Sequence, residues 1–221
     1  AMRDLMSARG PDGAGLWRGP GLVLAHRRLA VVEPGACGAQ PMTLPDGSSL
    51  VYNGELYNDA EVRAALSGRG VRFSGRSDAE TVLRARREWG PGAIPRLRGM
   101  YALAFFDGPG RRLILSRDPL GIKPLYYWLG ERGGRPCLVF ASDPRAVLAL
   151  PGLRPRPDMA VVSAYLTTIR TVLGSRTLFE GVRAVRPGET IEFGLASGPG
   201  VLTRSTAPIA GSGDSGAGGA G

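Results

Sequence analysis

The run Tyr101-Ala102-Leu103-Ala104-Phe105-Phe106-Asp107-Gly108-Pro109-Gly110-Arg111-Arg112-Leu113-Ile114-Leu115-Ser116 is two apolar segments on either side of Asp107-Gly108-Pro109-Gly110. A tight turn between two such runs is a hairpin signal, and hairpins build antiparallel sheets. Downstream, residues 124–128 and 138–141 read as a second hairpin. Upstream, residues 49–52 read as a strand entered from the turn Pro45-Asp46-Gly47, and 22–25 and 29–32 as short strands around His26-Arg27-Arg28. Residues 189–193 are also strand-like. Helices are expected over 59–69, where Val62 and Leu66 are four apart and Gly70 is a stop, and over 78–89, ending at Gly90. Ser77-Asp78-Ala79-Glu80 fits a capping box at the second of these. Further helices are expected over 143–150 and 159–167. Strands joined by hairpins, with helices grouped rather than alternating, define an α+β fold with antiparallel sheets.

Composition narrows the function classes. The 221 residues suffice for one domain, or one domain and part of another. No apolar run reaches the length of a membrane span, and residues 1–10 lack the order of a signal peptide. Cys37 and Cys137 form neither a disulfide framework nor a metal motif. They read as packing residues in a cytoplasmic protein. Lys plus Arg exceeds Asp plus Glu by 28 to 19, and Lys123 is the only lysine. The arginines are scattered without a long run, which argues for compositional habit and against a nucleic-acid face.

Four segments carry candidate chemistry: Arg9-Gly10-Pro11-Asp12-Gly13, His26-Arg27-Arg28-Leu29, Tyr52-Asn53-Gly54-Glu55-Leu56-Tyr57-Asn58 and Ser77-Asp78-Ala79-Glu80. Singly, each has an ordinary reading. Asn53-Gly54 could be a hairpin turn, Arg28 a solvated strand residue, and Asp78 a charge favoured at a helix start.

Together, in this order, they resemble the glutamine amidotransferase domain of glutamine-hydrolysing asparagine synthetases. Gly38-Ala39-Gln40-Pro41, Leu97-Arg98-Gly99-Met100-Tyr101-Ala102 and above all Ser116-Arg117-Asp118-Pro119-Leu120-Gly121-Ile122-Lys123-Pro124-Leu125-Tyr126-Tyr127 extend the likeness. Residues 177–182 and 186–189 continue it more weakly. The resemblance implies the four-layer αββα sandwich of N-terminal nucleophile hydrolases. It implies that a cysteine at the start of the mature chain attacks the amide carbon of glutamine, with its own α-amine taking the proton. It places Arg28 on the glutamine α-carboxylate, Glu55 and Asp78 on the α-ammonium, and Asn53 and Gly54 at the oxyanion hole. These residue types suit those tasks. A guanidinium fork meets both carboxylate oxygens, and glycine lets the backbone approach the reacting carbonyl. Arg9, Asp12, Asp118 and Lys123 are left as structural or inter-domain residues.

Two departures from the family stand out. Ala8 precedes Arg9 where relatives usually carry His. The strand that bears the nucleophile, and most of a helix after it, are expected upstream of Ala1, so the chain as given is expected to be inactive. The amidotransferase domain is read over residues 1–157. A linker and the start of a synthetase domain follow over 158–207, and residues 208–221 read as a disordered Gly/Ser/Ala tail. No cofactor is expected in this chain; ATP and Mg2+ belong to the synthetase domain. Expected partners are glutamine and that domain, with a homodimer left open and neither nucleic acid nor membrane involved. Two alternatives remain: a non-catalytic glutamine-binding or partner module, and an amidotransferase serving another carboxylate acceptor.

Overall fold

A computed structural model describes residues 2–30, 35–196 and 198–206. After a 3-10 segment (Asp4–Arg9), β1 (Gly13–Gly19) and β2 (Leu22–Arg28) form a hairpin. The chain continues through β3 (Met42–Thr43), β4 (Ser49–Leu56), α1 (Asp59–Ser67), α2 (Asp78–Trp89), β5 (Gly99–Asp107) and β6 (Arg112–Arg117). Then come β7 (Tyr126–Arg132), β8 (Arg135–Ala141), α3 (Pro144–Leu148), α4 (Met159–Thr168), β9 (Val172–Leu173), β10 (Arg176–Thr177), β11 (Val182–Ala184), β12 (Glu189–Gly194) and β13 (Gly200–Thr206).

Two larger antiparallel sheets result. One has the order β13-β12-β6-β5-β4-β3, the other β8-β7-β11-β10-β9. Of the hairpins foreseen in the sequence, β5–β6 lies at the centre of the first sheet and β7–β8 at one edge of the second. Strands β11 and β12 lie one in each sheet, beside β7 and β6.

The two-residue period of the strands sorts the core into layers. Leu50, Tyr52, Leu103 and Phe105 face outward from the six-stranded sheet and pack under α1 and α2 with Val62, Leu66, Val82 and Leu83. Val51, Ala102, Ala104 and Phe106 face the other way and meet Leu125, Tyr127, Ile191 and Phe193 between the sheets. The outer face of the five-stranded sheet is covered by α3, through Val139, Ala146, Val147 and Val182. Helix, sheet, sheet, helix is the αββα sandwich.

Four local readings are corrected. Residues 22–28 make one strand, and Leu29 and Ala30 are not strand; residues 31–34 lie outside the described residues, as does the tail read over 208–221. Asn53-Gly54 is not a hairpin turn, because β4 runs through it, pairing Asn53 with Ala102 and Gly54 with Tyr101. The capping box does not form. Ser77 makes no side-chain cap, and the buried Glu80 carboxylate instead accepts the Ser74 and Gly75 amides at 2.8 and 2.9 Å. Of the two cysteines, Cys37 is exposed rather than packed, and Cys137 is half-buried.

The segment from Arg117 to Lys123 is held by two charged side chains. Asp118 is fully buried and accepts from the amides of Tyr101, Leu120, Ile122 and Lys123. Arg117 donates to the carbonyls of Gly121, Lys123 and Val185. Asp118→Ala should therefore destabilise the fold by about 3 kcal/mol or more, because it orphans several buried donors at once. By contrast Arg98→Ala, which removes an exposed pair with Glu61, should cost under about 1 kcal/mol. Urea unfolding midpoints measure both.

Candidate active site

A cleft of about 600 Å3 opens between the sheets at the ends of β2, β4, β5 and β8. All five residues singled out in the sequence line it: Arg28, Asn53, Gly54, Glu55 and Asp78. The periodicity of the strands explains why. Leu24 of β2 faces the inter-sheet core, so His26 and Arg28 share its side. Val51 of β4 faces the same core, so Asn53 and Glu55 follow it.

Arg28 is fixed through its backbone and partly through its side chain. Its carbonyl accepts from the Asp12 amide at 2.9 Å, and Asp12 in turn accepts from the Ala30 amide at 2.8 Å. The Arg-Gly-Pro-Asp-Gly segment is thus a bracket for the end of β2. Gly10 is packed so closely there that a Cβ would lie 2.4 Å from the Arg27 carbonyl carbon. The Arg28 guanidinium donates to the Gly35 carbonyl at 3.0 Å and otherwise faces the cleft.

The direction of the Gly54 N–H follows from the phase of the β-ladder. The Gln40 side chain accepts from the Tyr52 amide at 2.6 Å and donates to the Tyr52 carbonyl at 3.1 Å. Asp78 Oδ2 accepts from the Leu56 amide at 3.1 Å. Tyr52 and Leu56 therefore point their N–H groups away from β5. Strand backbones alternate edges residue by residue, so Gly54, midway between them, points its N–H the same way. Its partner Tyr101 agrees, spending its own N–H and C=O on Asp118 at the far side. The Gly54 N–H thus opens on the cleft between Gln40 and Asp78. No side chain fits at this position, since a Cβ would lie 2.3 Å from the Met100 carbonyl oxygen.

Asp78 is the first residue of α2, and the loop before it is clamped from two sides. Glu80 takes two of its amides, and Arg63 donates to the Gly75 and Ser77 carbonyls at 2.9 and 2.7 Å. Burial raises the pKa of Asp78, against the amides of Leu56 and Ala79, which lower it. The Tyr52 hydroxyl is buried near Asp78 but outside hydrogen-bonding geometry. Burial first, then the Asp78 charge, raises its pKa.

Two cleft residues had no role in the sequence reading. Gln40 acts as a substitute strand, its amide pairing with Tyr52 as a peptide group would. The only signal was its place in the Gly-Ala-Gln-Pro segment. His26 lies two residues before Arg28 and lines the cleft. Its Nδ1 is buried with no hydrogen-bond partner among the described residues. Burial, with Arg28 nearby, pushes its pKa down to about 4, and the Tyr52 carbonyl only partly opposes this. Lys123 and Arg9 also line the cleft, whereas neither Cys37 nor Cys137 does.

The structure is thus a two-sheet αββα sandwich with a guanidinium, two carboxylates and an open backbone N–H in one inter-sheet cleft. Comparison with known proteins gives the family. Residues 1–198 match the family described as a glutamine amidotransferase domain, and the chain belongs to it. It is 34% identical over 195 residues to asparagine synthetase [glutamine-hydrolyzing] 3 of Bacillus subtilis, covering 87% of this chain and 31% of that protein. It is 36% identical over 188 residues to amidase chry2 of Gibberella zeae, covering 84% of this chain and 26% of that protein. The chain thus spans under a third of these relatives' length. Among solved structures, a glutamine phosphoribosylpyrophosphate amidotransferase from B. subtilis superposes with a TM-score of 0.53 over 81% of this chain and 34% of its own, at 22% identity, which shows the shared fold. No helix among the described residues is long and apolar enough to cross a membrane.

The neutral His26 makes stability depend on pH. The unfolded chain takes up a proton on this side chain near pH 6.5, the folded chain only near 4. Stability attributable to it is full above pH 6.5 and falls as the pH drops toward 4. From pH 7 to pH 5, wild type should lose about 1–2 kcal/mol more than His26→Gln does, measured by urea unfolding at each pH.

Proposed function

We propose that this chain is the glutaminase half of an asparagine synthetase, hydrolysing glutamine to glutamate and ammonia. The observation that carries the reading is the convergence, in one cleft, of Arg28, Glu55, Asp78 and the open Gly54 N–H. Arg28 takes the α-carboxylate of glutamine in a two-pronged hydrogen bond. Glu55 and Asp78 take the α-ammonium, which separates an amino acid from a plain carboxamide. The side-chain amide is thereby directed to Asn53 and Gly54, whose N–H groups receive the negative charge as the carbonyl becomes tetrahedral. The nucleophile is an N-terminal cysteine thiol on a strand between β2 and β8. Among the described residues, each of these strands pairs on one side only, and both line the cleft. The thiol adds to the amide carbon, a proton passes to the departing nitrogen, ammonia leaves, and water releases glutamate from the thioester. Amidation of aspartate with ATP and Mg2+ belongs to the remainder of the longer enzyme.

Two other readings have specific support. The name of the Gibberella relative, an amidase, leaves room for a carboxylate acceptor other than aspartate. The cleft residues Arg28, Glu55 and Asp78 would equally serve a module that binds glutamine without hydrolysing it. Isothermal calorimetry with L-glutamine and with L-glutamate, on the chain as given and on a form extended to an N-terminal cysteine, separates them. Hydrolysis only by the extended form supports the glutaminase, and binding without hydrolysis in both supports the module.

In the extended form, Arg28→Ala and Asp78→Ala should each weaken glutamine binding by about 10- to 100-fold. Asn53→Ala should lower kcat by about 100-fold or more with a smaller change in KM. Equal and negligible effects of all three on the glutaminase rate would refute the assignment.

A further inference from the structure

Helix α4 is placed firmly but packed on one side only. Its cap, Asp158, is buried and grips it from below. The carboxylate accepts from the Val161 amide and from the Arg176 guanidinium at 2.8 and 2.6 Å, which ties the helix to β10. Yet Met159–Thr168 contains no charged residue, and Val161 is its only fully buried side chain.

The outward face has a pattern. Met159, Val162, Leu166 and Ile169 recur at spacings of three, four and three. At about 100° per residue they fall in a band roughly 80° wide. Val162 is half-buried, but Met159, Leu166 and Ile169 are 66, 77 and 85% exposed. A 3-4-3 apolar stripe is the pattern of a helix face that packs against something. Here nothing among the described residues covers it.

Ile169 strengthens the point. It closes the helix in the left-handed region, with φ 56° and ψ 11°. This position ordinarily goes to Gly or Asn, and a β-branched residue there is strained. Within this chain the strain brings no packing in return, since the side chain is almost wholly in solvent. An apolar residue kept in a strained and exposed position is accounted for by a contact made outside the described residues.

We infer that the stripe Met159–Val162–Leu166–Ile169 is a docking face for the remainder of the polypeptide carried by the longer relatives, which would lay an apolar surface on α4. This rests on the reading of the chain as the amidotransferase part of a longer enzyme. The alternative occupant, a second copy, fits poorly. Ten helical residues span only about 15 Å, well short of the roughly 800 Å2 per partner typical of stable association between free chains. A segment joined covalently meets the face at millimolar effective concentration, where a small apolar contact suffices. Relatives of which this chain covers 31% and 26% supply such a segment.

The test mixes this chain with the separately produced remainder of the B. subtilis relative and measures association by calorimetry. Association weakened at least tenfold by Leu166→Asp, but unchanged by Leu16→Asp at an exposed position on β1, supports the docking face. Ile169→Gly should raise the Tm of the isolated chain by about 2–4 °C while weakening association, two opposite signs that a purely structural residue would not give. Four results overturn the inference: an unchanged affinity in Leu166→Asp; no association up to about 5 mM, above the effective concentration of a joined segment; a wild-type dimer abolished by Leu166→Asp; or a fall in Tm for Ile169→Gly, which would mean the side chain already packs in its own chain. Glutamine titration of the same samples keeps the readings apart. Intact glutamine binding with failed association sinks the docking face alone, and absent glutamine binding with intact association sinks the reading of the cleft alone.

Discussion

Strand β4 carries a ladder on one side and side chains on the other, and the cleft exists because of that asymmetry. Toward β5 it pairs along its whole length, from Ser49 to Leu56. On its other edge β3 covers only Leu50 and Ser49. Beyond that, Gln40 satisfies Tyr52 and Asp78 satisfies Leu56, each with a side chain instead of a strand. A neighbouring strand would have consumed the Gly54 N–H as well. Two polar side chains, set against backbone positions four residues apart on β4, satisfy Tyr52 and Leu56 and leave Gly54 between them available. The edge is therefore protected from non-specific pairing without being closed to a ligand.

The charges are arranged around that opening so that each is held by backbone geometry rather than by a counter-ion. Asp12 fixes the end of β2 that bears Arg28, and Glu80 with Arg63 fixes the loop that delivers Asp78. Among the described residues, Arg28 and Asp78 are each held in place without being paired to an opposite charge. The proposed binding of glutamine asks for this arrangement: a cation and anions kept apart, each with unspent hydrogen-bonding capacity. His26 contributes by staying neutral. A second cation beside Arg28 would compete for the same counter-charge, and burial removes it across the physiological range.

The fold class was legible because one long hairpin in each sheet is local. The two apolar runs around Asp107-Gly108-Pro109-Gly110 and the two around residues 129–137 pair in the structure as their spacing implies. The five residues of the cleft were legible only as a set. Asn53-Gly54 shows why. Its dipeptide signature favours a hairpin turn, and only the strong pairing of 49–56 with 99–106 overrides it. Glu80 misled in the opposite direction. Its spacing from Ser77 matched a capping box, but two free amides at Ser74 and Gly75, close only in the folded loop, were better partners for its buried carboxylate. Gln40 could not have been assigned from sequence, since pairing with Tyr52 depends on how residues 38–41 approach β4. Long-range satisfaction of backbone groups is the part of this structure that periodicity does not encode.

The molecule also inverts the usual distribution of polar and apolar groups at two places, and the inversions have a common form. Buried Asp118 and half-buried Arg117 fix a loop whose tips, Leu120 and Ile122, are exposed. Buried Asp158, paired with Arg176, fixes a helix whose outer stripe is exposed. In each case charge is placed inside, at a desolvation cost, so that apolar side chains are held rigidly outside. The exposed apolar half of that exchange does not stabilise an isolated domain. Together the two halves preorganise a surface, so that little conformational entropy remains to be lost when another segment covers it. The loop also borders the cleft through Lys123. A segment seated on it would lie beside the cleft where the proposed reaction releases ammonia, which joins the surface of this domain to its chemistry.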